Sequence, residues 1–356
     1  MMDSQWTAKI LVVGAGALGG VIAARLRASG RPVWIATKDA QTATRLRATG
    51  LHVSGVGGAV SVEVAEIAPL DAYQESDAFD LVVLATKAQE AMQVAPKLVR
   101  MLGTSGVLLP IQNGDVAQML ADRFGRDQIL GGLSNLGATM NEFGSYAQRN
   151  AGHLLIGELS SGDTARCERV RQAMCGGVEV RVTTNIRGAV WSKLLLNCSV
   201  TTIGAIAGRT MREYIALPLG RKLFDLAYDE ALTVALAAGV HPQRMLVDPI
   251  PPGWSGRSVP GEAHEAWLRE ILAFYGDLKP SMLQDFERGR PTEIDFINGH
   301  VADLGRTKGI PTPANAAIVE TVRAITRGEL RPDPSLLSRT LDGLGGPEAT
   351  NMTSRD

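Results

Sequence analysis

The chain has 356 residues, 45% of them apolar and 21% charged, with a formal net charge of −1, the make-up of a globular protein long enough for two domains. No block of Lys or Arg offers itself to nucleic acid or to an anionic membrane, so small molecules are the expected ligands. Three widely spaced cysteines, Cys167, Cys175 and Cys198, form no C-x-x-C pair, which argues against a disulfide framework or structural zinc; no metal is expected.

The N-terminus lacks the basic segment, apolar core and small-residue cleavage site of a secretory signal, so the cytoplasm is the expected location. Residues 9–13, KILVV, are a short β-branched run that enters GAGALG (14–19) and then GVIAARLRASG (20–30), whose apolar positions recur at helical spacing. Strand, glycine turn and helix in that order fit a dinucleotide site. Gly14 permits the tight turn, Gly16 lets backbone approach a pyrophosphate, and Gly19 lets helix and strand pack closely. Ala15, Ala17 and Leu18 fill out the turn, and the phosphates meet the helix N-terminus.

The next strand, VWIA (33–36), ends in Thr37, Lys38 and Asp39. An acid at this position accepts from the ribose 2′-hydroxyl of NAD, whereas a cation suits the 2′-phosphate of NADP. Lys38 therefore favours NADP(H), with a solvated loop lysine as the alternative. The uniformly apolar LVVLA (81–85) reads as a strand buried on both faces and delivers Lys87 to the cofactor edge. VLLPIQNG (107–114) is the following strand, with Asn113 at its mouth, either a ligand to nicotinamide or substrate or the first half of an Asn-Gly turn. Residues 129–139 and 153–159 look like late strands of the same domain.

Beyond residue 185 the pattern changes to long helical periodicity. Helices are predicted over 186–206, 219–239, 265–276 and 314–328, and a poorly ordered tail from about Pro332. The division is residues 1–185 as nucleotide domain, 186–330 as helical substrate domain and 331–356 as tail. The most apolar windows are interrupted by Lys193, Asn197 or glycines, which favours a core helix over a membrane span. Lys193, Asn197 and Thr201 stand four apart, one polar line on a helix otherwise filled by leucines. A lysine partly desolvated in an interdomain cleft could protonate a carbonyl oxygen near neutral pH; a lysine snorkelling at the helix edge has the same spacing.

From the glycine turn to about residue 328 the chain resembles the ketopantoate reductase family. The resemblance rests on GAGALG, TKA (86–88), QNG (112–114), NIR (185–187) leading to Trp191 and Lys193, Asn197, and the block SMLQDFERGRPTEIDFINGHV (281–301). It implies an α/β protein with an N-terminal Rossmann-type doubly wound domain, followed by an all-helical C-terminal domain like that of 6-phosphogluconate dehydrogenase. It implies NADPH as cofactor, a 2-oxo acid as substrate, first of all ketopantoate reduced to (R)-pantoate in pantothenate biosynthesis, and a possible homodimer. Carried over by position, Lys193 donates the proton to the keto oxygen and Glu293 holds that oxygen and fixes Lys193. Asn113, Asn197, Thr201 and Ser281 orient the substrate, Lys38 meets the 2′-phosphate, and Lys87 lines the crevice. Thr201 departs from the asparagine common in the family, and the segment 246–275 is longer than usual, so a different or bulkier carbonyl substrate stays open. So does a non-catalytic NADP(H) sensor.

Overall fold

The computed structural model describes residues 8–160, 162 and 165–345. The chain separates into two compact units, residues 1–186 and 187–356.

In the first unit the chain forms β1 (Ile10–Val13), α1 (Ala17–Ala28), β2 (Val33–Thr37), α2 (Ala40–Thr49), β3 (Leu51–Gly55), β4 (Val60–Val62), β5 (Ile67–Pro69) and β6 (Phe79–Leu84). It continues through α3 (Ala88–Arg100), β7 (Leu102–Pro110), α4 (Val116–Phe124), β8 (Gly131–Ser134), β9 (Ala138–Glu142), β10 (Ser145–Gln148), β11 (Leu154–Gly157), α5 (Ala165–Ala173) and β12 (Val180–Val182). The central sheet runs β5-β2-β1-β6-β7 and is parallel throughout. Its middle strands are apolar along their whole length because both faces are covered: every residue of β1 is buried, and Val12 pairs with Ile35 on one side and Val83 on the other. After β1 the chain builds the sheet outward through β2, then returns to add β6 on the opposite flank. The reversal makes the carboxyl ends of β1 and β6 the switch point where open α/β sheets bind ligands. Two smaller sheets, β4-β3-β10-β9 and β12-β11-β8, complete the unit. The predicted strands at 129–139 and 153–159 are β8, β9 and β11. Short strands β3, β4, β5, β10 and β12 escaped periodicity because three to five residues carry too little pattern.

The second unit is helical: α6 (Ile186–Leu196), a wide turn Asn197–Thr201 with π-type hydrogen bonding, α7 (Thr202–Ala207), α8 (Met211–Ile215), α9 (Pro218–Ala237), α10 (Glu262–Tyr275), α11 (Ser281–Glu287), α12 (Asn298–Lys308), α13 (Pro313–Thr326) and α14 (Leu336–Asp342). All four predicted helices are present. The first spans residues 186–207, broken inside by the wide turn; its mean hydropathy of 1.3 and its length would suit a membrane span, but 78% of that window is buried in the protein, as expected of a core helix. Trp191, Leu194, Leu195, Cys198, Ile203 and Ile206 from this stretch are wholly buried in the helical core, each large aliphatic contributing about 1.5–3 kcal/mol. Residues 332–345 are a correction to the predicted tail, since α14 seats Leu336, Leu337 and Thr340 in the core through a helix too short to show a period. Residues 346–356, the rest of that tail, lie outside the described residues.

Candidate active site

The nucleotide end is built from backbone. Gly14 sits at φ +95°, a conformation a side chain would strain, and a Cβ there would come within 2.9 Å of the Thr86 methyl. A Cβ on Gly19 would lie 1.9 Å from the Gly14 carbonyl oxygen, so this turn closes only without side chains. Gly16 is the opposite case. Its Cβ would meet nothing within 4 Å, leaving open space at the point where α1 begins. Neither a side-chain cap nor an acidic residue occupies the first turn of α1, so its N–H groups and positive dipole end face that space. Ala17 and Leu18 open the helix, and Ala15 is fixed from behind: the Tyr146 hydroxyl donates to its carbonyl at 3.0 Å. Burial pushes that phenol up to about 12, which keeps it a donor. The cradle fits a dinucleotide pyrophosphate.

At the end of β2, Thr37 donates to the Asp39 carbonyl at 2.8 Å, and the Asp39 carboxylate accepts from the Thr42 N–H at 2.6 Å as the N-cap of α2. That cap bond, ahead of the nearby Lys38 charge, lowers the carboxyl below its ordinary range. Asp39 is thus engaged as a helix cap. Lys38 keeps an exposed side chain, 3.8 Å from Asp39. Lys87 stands half-buried in the position before α3. Asn113 follows β7 beside Gly114 at φ +83°, so the Asn-Gly turn forms at the strand mouth where the asparagine was expected. Sequence reading missed Gln112. Its amide donates to the Leu84 and Thr86 carbonyls at 2.8 and 3.1 Å, tying the ends of β6 and β7 together and fixing the loop that carries Asn113.

The second unit supplies titratable groups. Lys193 is half-buried on α6, with Trp191, Leu194 and Leu195 filling the rest of the helix surface. The surrounding protein strips water from the ammonium and lowers it to about 8, while the Glu293 carboxylate acts in the opposite direction. Glu293, 8% exposed, stands just before a short 3₁₀ turn, Ile294–Phe296. The structure therefore brings Lys193 and Glu293 into one electrostatic pair although a hundred residues separate them.

The polar line continues with a difference. Asn197 begins the wide π turn, so the regular α spacing assumed for Lys193, Asn197 and Thr201 stops there. Thr201 nevertheless returns to Asn197, its hydroxyl 3.4 Å from the Asn197 side-chain oxygen, a long contact that leaves the Asn197 amide N–H₂ as the outward donor. Ser281 opens α11 at an exposed position behind Pro280. Pro280 can lie against α7 because residue 204 is glycine: a Cβ there would sit 2.7 Å from the proline ring. Neither Gly204 nor the distance it sets carries a motif. Among the described residues no group of three or more His, Cys, Asp or Glu is arranged for a metal.

A parallel nucleotide sheet with a bare glycine turn, and a helical unit holding a lysine of lowered pKa beside a carboxylate, define the class: an oxidoreductase that uses NAD(P)H. Family models for ketopantoate reductase PanE/ApbA match residues 10–161, and for its C-terminal domain residues 185–326. The chain belongs to the ketopantoate reductase family. It is 26% identical over 321 residues to the 2-dehydropantoate 2-reductase of Archaeoglobus fulgidus, covering 90% of this chain and 98% of that one. Among solved structures, a PanE/ApbA family ketopantoate reductase from Ralstonia eutropha superposes with a TM-score of 0.72 at 25% identity, over 90% of this chain and 99% of the other. D-mandelate dehydrogenase, in a ternary structure with NADH and anilino(oxo)acetate, superposes at 0.75 with 22% identity over 90% and 98%.

Proposed function

We propose that the protein reduces a 2-oxo acid with NADPH, with 2-dehydropantoate (ketopantoate) the first candidate and pantoate its product. The observation that carries this reading is the Lys193–Glu293 pair: an ammonium poised near neutrality on an otherwise apolar helix, with a buried carboxylate to hold it. NADPH, when bound, supplies a hydride to the carbonyl carbon. As negative charge develops on the carbonyl oxygen, Lys193 donates its proton there and becomes a neutral amine, leaving an alcohol. Glu293 steers the ammonium and accepts from the new hydroxyl. Asn197 and Ser281 donate to the substrate carboxylate, and Thr201 fixes the Asn197 amide. Asn113 orients the reacting carbonyl near the nicotinamide. The first-unit residues Gly14 to Gly19 hold the pyrophosphate, with Lys87 lining the same crevice.

Lys38 is the basis for NADPH over NADH. The neighbouring acid that would accept from a ribose hydroxyl is spent as the cap of α2, while the lysine stays exposed. A panel of 2-oxo acids followed by NADPH oxidation, with ketopantoate as reference, tests the substrate; no turnover of any 2-oxo acid would refute the reading. Homodimerisation and a cytoplasmic location are proposals of the same kind, the first open to sedimentation and the second to fractionation.

A second reading, reduction of a bulkier 2-oxo acid, is favoured by two observations. Threonine replaces an amide on the polar line, and the segment between α9 and α10 is fastened down rather than loose. Asp229 accepts from Trp254 Nε1 at 2.9 Å and from the Ser258 N–H and hydroxyl at 2.6 and 2.7 Å, and Tyr228 donates to the Pro249 carbonyl at 2.8 Å. An aryl-substituted 2-oxo acid in the panel, turned over faster than ketopantoate, would select this reading.

A further inference from the structure

The wide turn at Asn197–Thr201 is held by side chains from elsewhere in the second unit. π-type turns are rare and recur at functional sites, because widening the helix leaves backbone groups that need outside partners. Here the Cys198 carbonyl accepts from the Thr202 hydroxyl and, at 3.0 Å, from Asn298 Nδ2; the Ser199 carbonyl accepts from the Tyr214 hydroxyl at 2.8 Å. Asn298 is wholly buried at the start of α12. It also donates to Asn315 Oδ1 at 2.9 Å. Asn315, equally buried, in turn donates to the Ala227 carbonyl at 3.1 Å and to Glu230 at 2.8 Å. Glu230 accepts as well from the Ala314 and Asn315 N–H groups at 2.8 and 2.9 Å, which anchors the chain on the N-terminus of α13.

Chain position gives this network a consequence. Asn298 lies five residues after Glu293, and Cys198 lies five residues after Lys193, next to Asn197. We propose that Asn298, backed by Asn315 and Glu230, is a positioning residue: its bond to the Cys198 carbonyl locks the Glu293 segment to the lysine helix and sets the direction of Asn197. This rests on the reading of Lys193 as the proton donor. A buried polar chain of this kind favours one geometry, because a slip takes the Asn298 donor from the Cys198 carbonyl and leaves it only the Thr202 hydroxyl in a dry interior.

The test compares Asn298→Ala and Asn298→Leu with wild type, using NADPH and the best 2-oxo acid of the panel. Melting temperature, kcat, KM and the pH dependence of kcat are measured. Thr321→Val is the control: it breaks a buried 3.0 Å bond between Thr321 and Thr340 and lowers stability without removing any bond of the Asn298, Asn315 and Glu230 chain. The expected result for both Asn298 variants is a fall in kcat of about tenfold, with KM for NADPH within about twofold of wild type. The alkaline limb of the profile moves to lower pH by about half a unit, since Glu293 no longer supports the ammonium as well. Thr321→Val loses stability and leaves the limb in place. Asn315→Ala, one link further along, shifts kcat and limb the same way by less, and it decides the matter if the Asn298 variants do not fold. Folded Asn298 or Asn315 variants with an unmoved limb, or a loss no greater than that of Thr321→Val, overturn the proposal. Full turnover in Lys193→Ala would instead remove the reading beneath it, whatever the Asn298 variants do.

Discussion

The two units of this protein make their sites in opposite ways. In the first, the proposed site is shaped by what is missing: three glycines in six residues bring a strand end and a helix N-terminus together and leave uncapped backbone N–H groups for a pyrophosphate. In the second, side chains far apart in sequence converge, and their chemistry depends on burial and on a chain of hydrogen bonds. A turn built from backbone fails on an added methyl group. A side-chain site tolerates small changes of shape and fails when one ionisable group is removed. The comparison can be broken at several points.

The largest effect is expected for Lys193→Ala. Removing the proton donor should lower kcat by about 10²–10⁴-fold with NADPH affinity unchanged, as steady-state kinetics and fluorescence titration would show. Retained turnover would mean that the second unit does not work through this group. Gly19→Ala comes next. Its Cβ would collide with the Gly14 carbonyl, so a stability loss of about 1–3 kcal/mol is expected by denaturant titration. Gly16→Val separates binding from folding: with open space around its Cβ the protein should melt as wild type does while NADPH affinity falls about tenfold or more. A variant that loses stability but keeps affinity would reverse the assignment of roles within the turn. Lys38→Ala should weaken NADPH by about tenfold, roughly 1.4 kcal/mol, and NADH by much less; equal effects would show that the lysine does not read the 2′-phosphate. Thr201→Val is the smallest change, raising KM for the 2-oxo acid by about threefold through a less well oriented Asn197.

The same contrast explains what could be read from sequence. The glycine turn is local, so GAGALG gave the element order and the close packing that Gly14 and Gly19 permit. The lysine line was visible as a pattern, but its meaning depended on Glu293, a hundred residues away and beside a 3₁₀ turn, which spacing cannot pair with Lys193; family resemblance supplied that link. The break in α geometry at Asn197 had no signature, because Asn-Cys-Ser-Val-Thr is compatible with an ordinary helix and only tertiary partners such as Asn298 and Tyr214 stabilise the wider turn. Gln112 and Gly204 went unread for a related reason: one ties two strand ends and the other clears room for Pro280, and both roles exist only after folding. The tail was misjudged because seven residues of α14 carry too little period to outweigh a Pro-, Gly- and Ser-rich surrounding.

The central claim is that the Lys193 ammonium, lowered to about 8 by burial and supported by Glu293, delivers the proton. Its most direct test is the single-turnover rate of carbonyl reduction with saturating NADPH, followed from about pH 6 to pH 10. The account predicts a plateau on the acid side and a decline of about tenfold per pH unit above pH 8, absent in the residual rate of Lys193→Ala. A rate that stays level across the whole range in the wild-type protein would contradict it.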